Sequence, residues 1–330
     1  MTTANLPATL GADAPYENMG TIQTKGWELA IDYRHTFKNG LHFGVTASVA
    51  DDKTEVTKWT YNTKIPSYGA TGWWDKSAYK EGMVLGDIWG LQFDRFLTED
   101  DFNADGSLKA GLPDQTKVFP AGYQFAPGDV LYKDLDNNGE IVKQTNTNDK
   151  GDLSVIGNAL PRLQFGLNLD AAWKGFDISM FFQGVAKRKL WAAGNQVLPG
   201  FTTGEPFYKG AEDYWTPENT DAFYPRPMDY KQSASGNYSV NDRYLLNMAY
   251  LRLKTFTVGY SLPKVWLSKF KVQGLRVYFT GENLFTIDGV KPAIDPEIGI
   301  RTASGKSDQR NFGRSYPYQK TVSFGIQLSL

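Results

Sequence analysis

Seven stretches of this chain alternate apolar and polar residues at period two, each over about 10–11 residues, and this pattern constrains the fold more than any other feature. In 26–36, Trp27, Leu29, Ile31 and Tyr33 share one face while Glu28, Ala30, Asp32 and Arg34 share the other. In 41–50, Phe43, Val45, Ala47 and Val49 oppose His42, Gly44, Thr46 and Ser48. The pattern returns in 163–173 (Leu163 to Trp173), 175–185 (Phe176, Ile178, Met180, Phe182), 250–260 and 275–285, and again from Val322 to Leu330. In 250–260 the parity slips near Lys254-Thr255, which predicts a β-bulge. Strands of soluble proteins average about 5–6 residues, whereas a tilted strand needs about 9–11 to cross a bilayer. Long strands with one apolar and one polar face fit a barrel wall between lipid and water. A large soluble β-sandwich, read as a soluble carbohydrate-binding β domain, is the alternative, and it requires Leu29, Ile31, Leu167, Phe324 and Ile326 to pack into a core.

The connections alternate as well. Phe37-Lys38-Asn39-Gly40 and Lys174-Gly175 are tight turns with glycine in the positive-φ role, and Ser261 to Gly274 is a medium link. The links 51–162, 186–249 and 286–319 are long. Short turns at one end and long loops at the other are the pattern of outer-membrane barrels. Tyr33, Phe37, Trp173, Phe176, Tyr260 and Trp266 then form one interfacial girdle, with Trp27, Phe285, Tyr316 and Tyr318 near the other. Seven strands do not close a bacterial barrel of even strand number, so the expectation is an all-β barrel portion of about seven long antiparallel strands with long extracellular loops.

Composition removes competing classes. With 35 basic and 36 acidic residues the net charge is −1, which gives no field to attract nucleic acid. Two histidines and no cysteine leave little room for a zinc site, a thiol nucleophile or a disulfide framework. Mean hydropathy is −0.43 and no run of about 18 apolar residues occurs, which argues against helical membrane spans. The first residues, Met1-Thr2-Thr3-Ala4-Asn5-Leu6-Pro7, lack the features of a secretory signal, so any targeting segment is expected upstream.

Specific motifs occur in order. Asn18-Met19-Gly20 with Lys25-Gly26-Trp27-Glu28-Leu29, then Gly128-Asp129-Val130-Leu131-Tyr132-Lys133-Asp134 through Gly139, are followed by Ile156-Gly157 with Pro161 and Phe165-Gly166-Leu167-Asn168. Gly175-Phe176-Asp177 with Phe182-Gln183-Gly184, then Tyr250-Leu251-Arg252-Leu253-Lys254 through Gly259-Tyr260-Ser261-Leu262-Pro263, continue the series. Glu282-Asn283-Leu284-Phe285, Asp295-Pro296-Glu297 and Tyr316-Pro317 with Ser323-Phe324-Gly325 complete it. Together these resemble SusC/RagA-type TonB-dependent outer-membrane transporters. Thr24 stands where that family usually has Asn, and Leu330 where its last residue is often aromatic. The resemblance implies that residues 1–330 are the C-terminal segment of a 22-stranded plugged barrel, with the plug and earlier strands upstream. It further implies import of nutrient oligomers (glycan fragments or peptides) across the outer membrane, a SusD-like surface lipoprotein as partner, and energy from the TonB complex.

Two groups of residues are candidates for binding. Asp134, Asp136 and Asn138 fall at positions 1, 3 and 5 of an EF-hand-like loop, with Gly139 at the turn and the backbone carbonyl of Glu140 at 7. This predicts a structural Ca²⁺ site; position 12 is Thr145, so Asp149 or Asp152 would supply the missing carboxylate, and the alternative is a solvated Asx-rich turn. Loop aromatics form the second group: Trp73 and Trp74 among Trp59, Tyr61, Tyr68 and Tyr79, and Tyr214 and Trp215 among Phe201, Phe207, Tyr208, Phe223 and Tyr224. Such rings stack on sugars, anchor a partner or pack the loops against each other. His35 and His42 read as polar wall residues. Paired carboxylates such as Asp134 and Asp136 show no arrangement tying an acid to a base, so no catalytic residue is assigned and the chain does not read as an enzyme.

Overall fold

A computed structural model describes residues 18, 20–59, 81–143, 150–192, 194–201, 206–228, 236–270, 272–291, 294–297 and 318–330, and the backbone pairing of 2–3 with 16–17 and of 302–303 with 306–307. Trp73, Trp74, Tyr61, Tyr68, Tyr79, Thr145, Asp149 and Tyr316 lie outside the described residues.

Seven long strands form one antiparallel meander: β1 (Gly20–Thr36), β2 (His42–Trp59), β3 (Arg162–Trp173), β4 (Phe176–Lys187), β5 (Tyr250–Ser261), β6 (Gly274–Glu282) and β7 (Thr321–Ser329). Each pairs with its neighbours in chain order, and the short strand Thr286–Asp288 adds to the start of β5. Register carries one apolar face through all seven. Leu29 pairs with Val49, Val49 with Phe165, Leu169 with Met180, Met180 with Phe256, Val258 with Phe279 and Phe279 with Phe324. The opposite face joins Asp32 to Thr46, Thr46 to Asn168, Asn168 to Phe181, Thr257 to Thr280 and Thr280 to Ser323. A bulge between Phe181 and Phe182 leaves Lys254 without a partner on β4, at the place where the sequence parity slips.

Leu29, Ile31, Phe324 and Ile326 are 52–83 % exposed and Leu167 is half-buried, so the apolar face is not the inside of a sandwich. The hairpin β1–β2 is longer than the alternation suggests, at 17 and 18 residues. Its extra length is polar (Gln23, Thr24, Lys25 against Glu55, Thr54, Lys53) and projects beyond the two-faced region on the side of the long loops. Lys174 and Gly175 turn at φ 49° and 88°, the paired left-handed geometry that matches strand twist in a two-residue hairpin. Near the tight turns, Phe176 lies against Tyr260 with ring centroids 4.5 Å apart, Lys174 Nζ sits 4.5 Å from the Trp173 ring centroid, and Trp266 is exposed on the short helix Lys264–Leu267. That places the expected girdle at this end.

The long loops build a core of their own. Met83 and Leu85 bond back to Val56 and Thr54, continuing the β2 extension into loop structure. Beyond it, one buried cluster gathers Ile88, Trp191, Leu198, Tyr224, Tyr244 and Met248, and a second gathers Leu91, Val118, Phe119, Val130, Tyr132 and Trp215. Buried side chains therefore concentrate in this loop assembly rather than on the sheet faces.

Candidate functional site

The loop assembly opens a cleft of about 420 Å³ lined by rings: Phe207, Tyr208, Tyr214, Tyr224 and Tyr238, with Pro199, Pro225 and Pro227. Its position follows from local pairing. Trp215 N–H donates to Tyr224 O (3.0 Å) and Tyr224 N–H to Asp213 O (2.9 Å), so 213–216 runs extended beside Tyr224. Alternation along an extended segment sends successive side chains to opposite sides. Tyr214 accordingly faces the cleft and is 40 % exposed, while Trp215 is buried against Gly128, where an added Cβ would come within 2.5 Å of its ring. This separates two residues that the sequence grouped: Tyr214 reaches the surface and Trp215 is packing. Phe207 is exposed at the cleft, Phe223 and Tyr244 meet edge to face, and Phe201 packs on the first cluster.

Asp129 holds this region together. It is fully buried and its carboxylate accepts from Arg226 Nε (2.8 Å), Tyr123 Oη (2.8 Å), Asn237 Nδ2 (3.0 Å) and Ala126 N–H (2.9 Å). Those donors balance the desolvation of the charge, which is the condition for burying it. Asp129 belongs to a quoted motif, but partners about a hundred residues away leave no mark in local spacing.

The acidic loop brings three carboxylates together. Carboxylate oxygens of Asp134, Asp136 and Asp152 lie within 4.8 Å of one another; Asp149 lies outside the described residues. Asp152 uses its oxygens on Leu135 N–H (2.7 Å) and Val142 N–H (2.8 Å). Asn138 Oδ1 accepts from Glu140 N–H (2.7 Å), and the Glu140 carboxylate turns away to Lys117, which leaves only its backbone carbonyl for a cation. Desolvation and the neighbouring Asp152 and Asp134 carboxylates push Asp136 above the usual carboxylate range. In Asp134 desolvation also raises the carboxyl, but the backbone N–H groups of Gly139 (2.8 Å), Asn137 and Asn138, with the neighbouring Asp136, together outweigh it and lower it. Asp134 Oδ1 is shielded from solvent without a hydrogen-bond partner. A hard cation needs six to eight oxygens, and an orphaned carboxylate oxygen facing two further carboxylates fits such a ligand.

His42 Nδ1 lies 2.7 Å from Thr36 Oγ1, and His35 packs between Tyr33 and Phe37, both as wall residues. A charge network unread from sequence joins two of the quoted motifs: Arg252 contacts Asp295 (2.7 Å) and Glu297 (3.1 Å), and Lys254 contacts Glu297 (2.9 Å). Tyr318 lies over both cations, 5.3 Å from Arg252 and 4.8 Å from Lys254. On the polar face of the sheet, Arg276 of β6 reaches across Gly259 of β5 to Asp177 of β4 (2.5 Å), a path that a side chain at 259 would block.

No protein-family model matches the chain. It is 26 % identical over 335 residues to TonB-dependent receptor P3 of Formosa agariphila, a match that covers 98 % of this chain and 30 % of that protein. To TonB-dependent receptor SusC of Bacteroides thetaiotaomicron it is 22 % identical over 322 residues, 95 % of this chain and 27 % of that one. The chain thus spans about 30 % of the length of the curated relatives it matches. In fold it is similar to the RagAB peptide transporter, with a TM-score of 0.65 and 19 % identity over 99 % of this chain and 31 % of that one. These relatives are receptors and transporters, not enzymes. In the order of its motifs, in sequence along nearly its whole length, and in its barrel-wall fold, the chain resembles the SusC/RagA-type TonB-dependent transporters.

Proposed function

We propose that the chain supplies seven adjacent wall strands, the C-terminal segment, of an outer-membrane TonB-dependent importer of nutrient oligomers. The observation that carries this reading is the register-locked apolar face running from Leu29 on β1 to Phe324 on β7, backed by a polar face. Such a sheet has two stable surroundings at once, hydrocarbon on one side and water on the other. Its outer edges β1 and β7 each pair with one neighbour, and hydrocarbon tolerates no open sheet edge, so further strands complete the wall. Glycan fragments or peptides are the cargo on this reading, a SusD-like lipoprotein covers the loop side, and the TonB complex drives opening through parts outside these residues. An antibody against the β7 segment, used on fractionated membranes, tests it. The expected result is an outer-membrane band about three times the mass of this chain. A water-soluble band at 36.9 kDa would overturn it.

The loop assembly then lies where cargo arrives, and the ring-lined cleft with Tyr214 is the contact surface we assign to it. The Asp134 loop is assigned a structural Ca²⁺ held by Asp134, Asp136, Asn138, the Glu140 carbonyl and Asp152. Calcium would fix the turn without taking part in transport chemistry. Titrating the metal-stripped full-length protein with Ca²⁺ while following thermal unfolding should raise the midpoint, and Asp136→Asn should abolish the rise. An unchanged midpoint would leave the loop as a hydrogen-bonded Asx turn.

A further inference from the structure

The end of the wall opposite the loop assembly carries charge of one sign. Lys38 sits in the turn between β1 and β2, Lys174 in the turn between β3 and β4, and Lys264 and Lys269 in the link between β5 and β6. All four are exposed, and none forms an ion pair among the described residues. Residues 36–42, 173–176 and 261–274 contain no aspartate or glutamate. The nearest carboxylates in these strands, Asp32, Asp170 and Asp177, lie on the polar face, where Arg34 holds Asp32 and Arg276 holds Asp177. Lysines on the loop side differ, since Lys53, Lys117 and Lys254 each pair with a glutamate. Apolar surface accompanies the unpaired cations: Trp173, Phe176 and Trp266 are 43–60 % exposed. In the β5–β6 link Leu267 is buried, which leaves Val265 and Trp266 exposed between Lys264 and Lys269.

We infer that this rim binds anionic glycerophospholipids of the leaflet it faces, with the four lysines meeting phosphates and Trp173, Val265 and Trp266 seated at the acyl boundary. The inference rests on the reading of β1 to β7 as strands that cross a membrane. Two strands separate successive tight turns, which spaces their lysines about 10 Å apart along the rim. That spacing exceeds the Debye length of about 8 Å at physiological salt, so the lysines repel one another little and each meets its own anion. A zwitterionic headgroup brings its own ammonium beside the phosphate, whereas a net anionic one leaves the phosphate to the protein. An acidic soluble partner would be served by the lysines alone; the rings among them fit a headgroup with acyl chains beneath it. Lys174 Nζ, 4.5 Å from the Trp173 ring centroid, shows the two kinds of group side by side.

The test places full-length protein in phosphatidylcholine nanodiscs with a few mole per cent of photoreactive phosphatidylglycerol or, separately, photoreactive phosphatidylethanolamine. Crosslinked peptides are then located by mass spectrometry. The expected result is an excess of phosphatidylglycerol over phosphatidylethanolamine at 36–42, 173–176 and 261–270, lost in 1 M salt, where the Debye length is about 3 Å. Replacing both Lys264→Gln and Lys269→Gln should cut the excess at 261–270 by about fivefold for each lysine removed and leave it at 173–176. Lys264→Arg with Lys269→Arg should keep it. All four side chains are exposed and make no ion pair, so neither pair of changes disturbs packing. Equal labelling by the two lipids in an inserted, heat-modifiable barrel would overturn the lipid surface alone. An excess at 261–270 that survives the glutamine changes would overturn the role of the lysines. Failure of the protein to enter nanodiscs as a barrel would overturn the wall reading, and this surface with it.

Discussion

Arg252 shows how much a single residue holds in place. Its side chain is 4 % exposed, its main counter-ions Asp295 and Glu297 are 5 % and 9 % exposed, and these join the start of β5 to the loop that follows β6. Burial pushes the Asp295 carboxyl up, but the hydrogen bond and charge of Arg252 together with the Glu297 and Tyr318 N–H groups outweigh it and hold the group below its usual value. Asp295→Ala leaves the buried guanidinium with Glu297 as its remaining counter-ion among the described residues, beside the Thr286 hydroxyl, and breaking a buried pair in this way costs about 3 kcal/mol. The expected outcome is a lowered unfolding midpoint with faster proteolysis around 284–297. A loop pair whose arginine is partly exposed and whose carboxylate is buried gives the contrasting, pH-dependent case. Arg95 grips Asp101 with two bonds of 2.6 and 2.7 Å, and with the Thr98 N–H this lowers the Asp101 carboxyl to about 2 despite burial. Because the folded value lies below the ordinary 3.8, the stabilisation is complete above about pH 4 and is lost as pH falls through about 2. Asp101→Asn should therefore lower stability at pH 7 by about 1 kcal/mol and flatten its loss between pH 4 and 2, as read by acid titration of loop proteolysis.

Strands are where the sequence was most legible. Side-chain period is two in any strand, so alternation alone identified all seven, their two tight turns and even the bulge opposite Lys254. Lengths were less legible at β1 and β2, because backbone pairing continues past the two-faced region as a polar ribbon that alternation cannot mark. The loops were legible only in part. Period two operates at Tyr214-Trp215 as well, but over so short a segment that only the pairing with Tyr224 shows which ring faces inward. Asp152 lies near Asp134 and Asp136 in sequence as well as in space, so local spacing could offer it as a candidate beside Asp149, whereas Asp129–Arg226 and Arg252–Asp295 depend on long-range closure. The two faces of β3 make the strand-scale prediction. Leu167 lies on the apolar face between Ala47 and Phe182, and its neighbour Asn168 lies on the polar face between Thr46 and Phe181. Arginine near a bilayer midplane costs about 2–4 kcal/mol on the lipid face of a barrel, and far less toward the lumen. Leu167→Arg should therefore sharply reduce the fraction of full-length protein that runs as a folded, heat-modifiable barrel, and Asn168→Arg should leave it near wild type.

At the scale of the molecule, two kinds of apolar surface are kept apart. The sheet turns its apolar face outward, while the long loops bury Trp191, Tyr132, Tyr244, Leu198 and Met248 in clusters of their own. A barrel wall with only mobile connections would need no such cores, so the loop assembly is a folded body carried on the wall. Its attachment runs through backbone ladders: the β2 extension to Met83 and Leu85, and Lys189-Leu190 to Leu246-Asn247 where β4 leaves and β5 begins. Stability in the two bodies then has different origins, lipid and strand pairing below, side-chain packing above. Trp191 is 2 % exposed at the centre of the first cluster, and truncating a buried tryptophan costs about 3–5 kcal/mol. Trp191→Ala should make the loops accessible to protease added to intact cells and should disorganise the ring-lined cleft, because Tyr224 and Tyr238 of the cleft pack in the same cluster. The barrel itself should still insert and remain heat-modifiable, since no residue of β1 to β7 belongs to that cluster. Loss of both properties together would mean that the wall and the loop assembly fold as one unit.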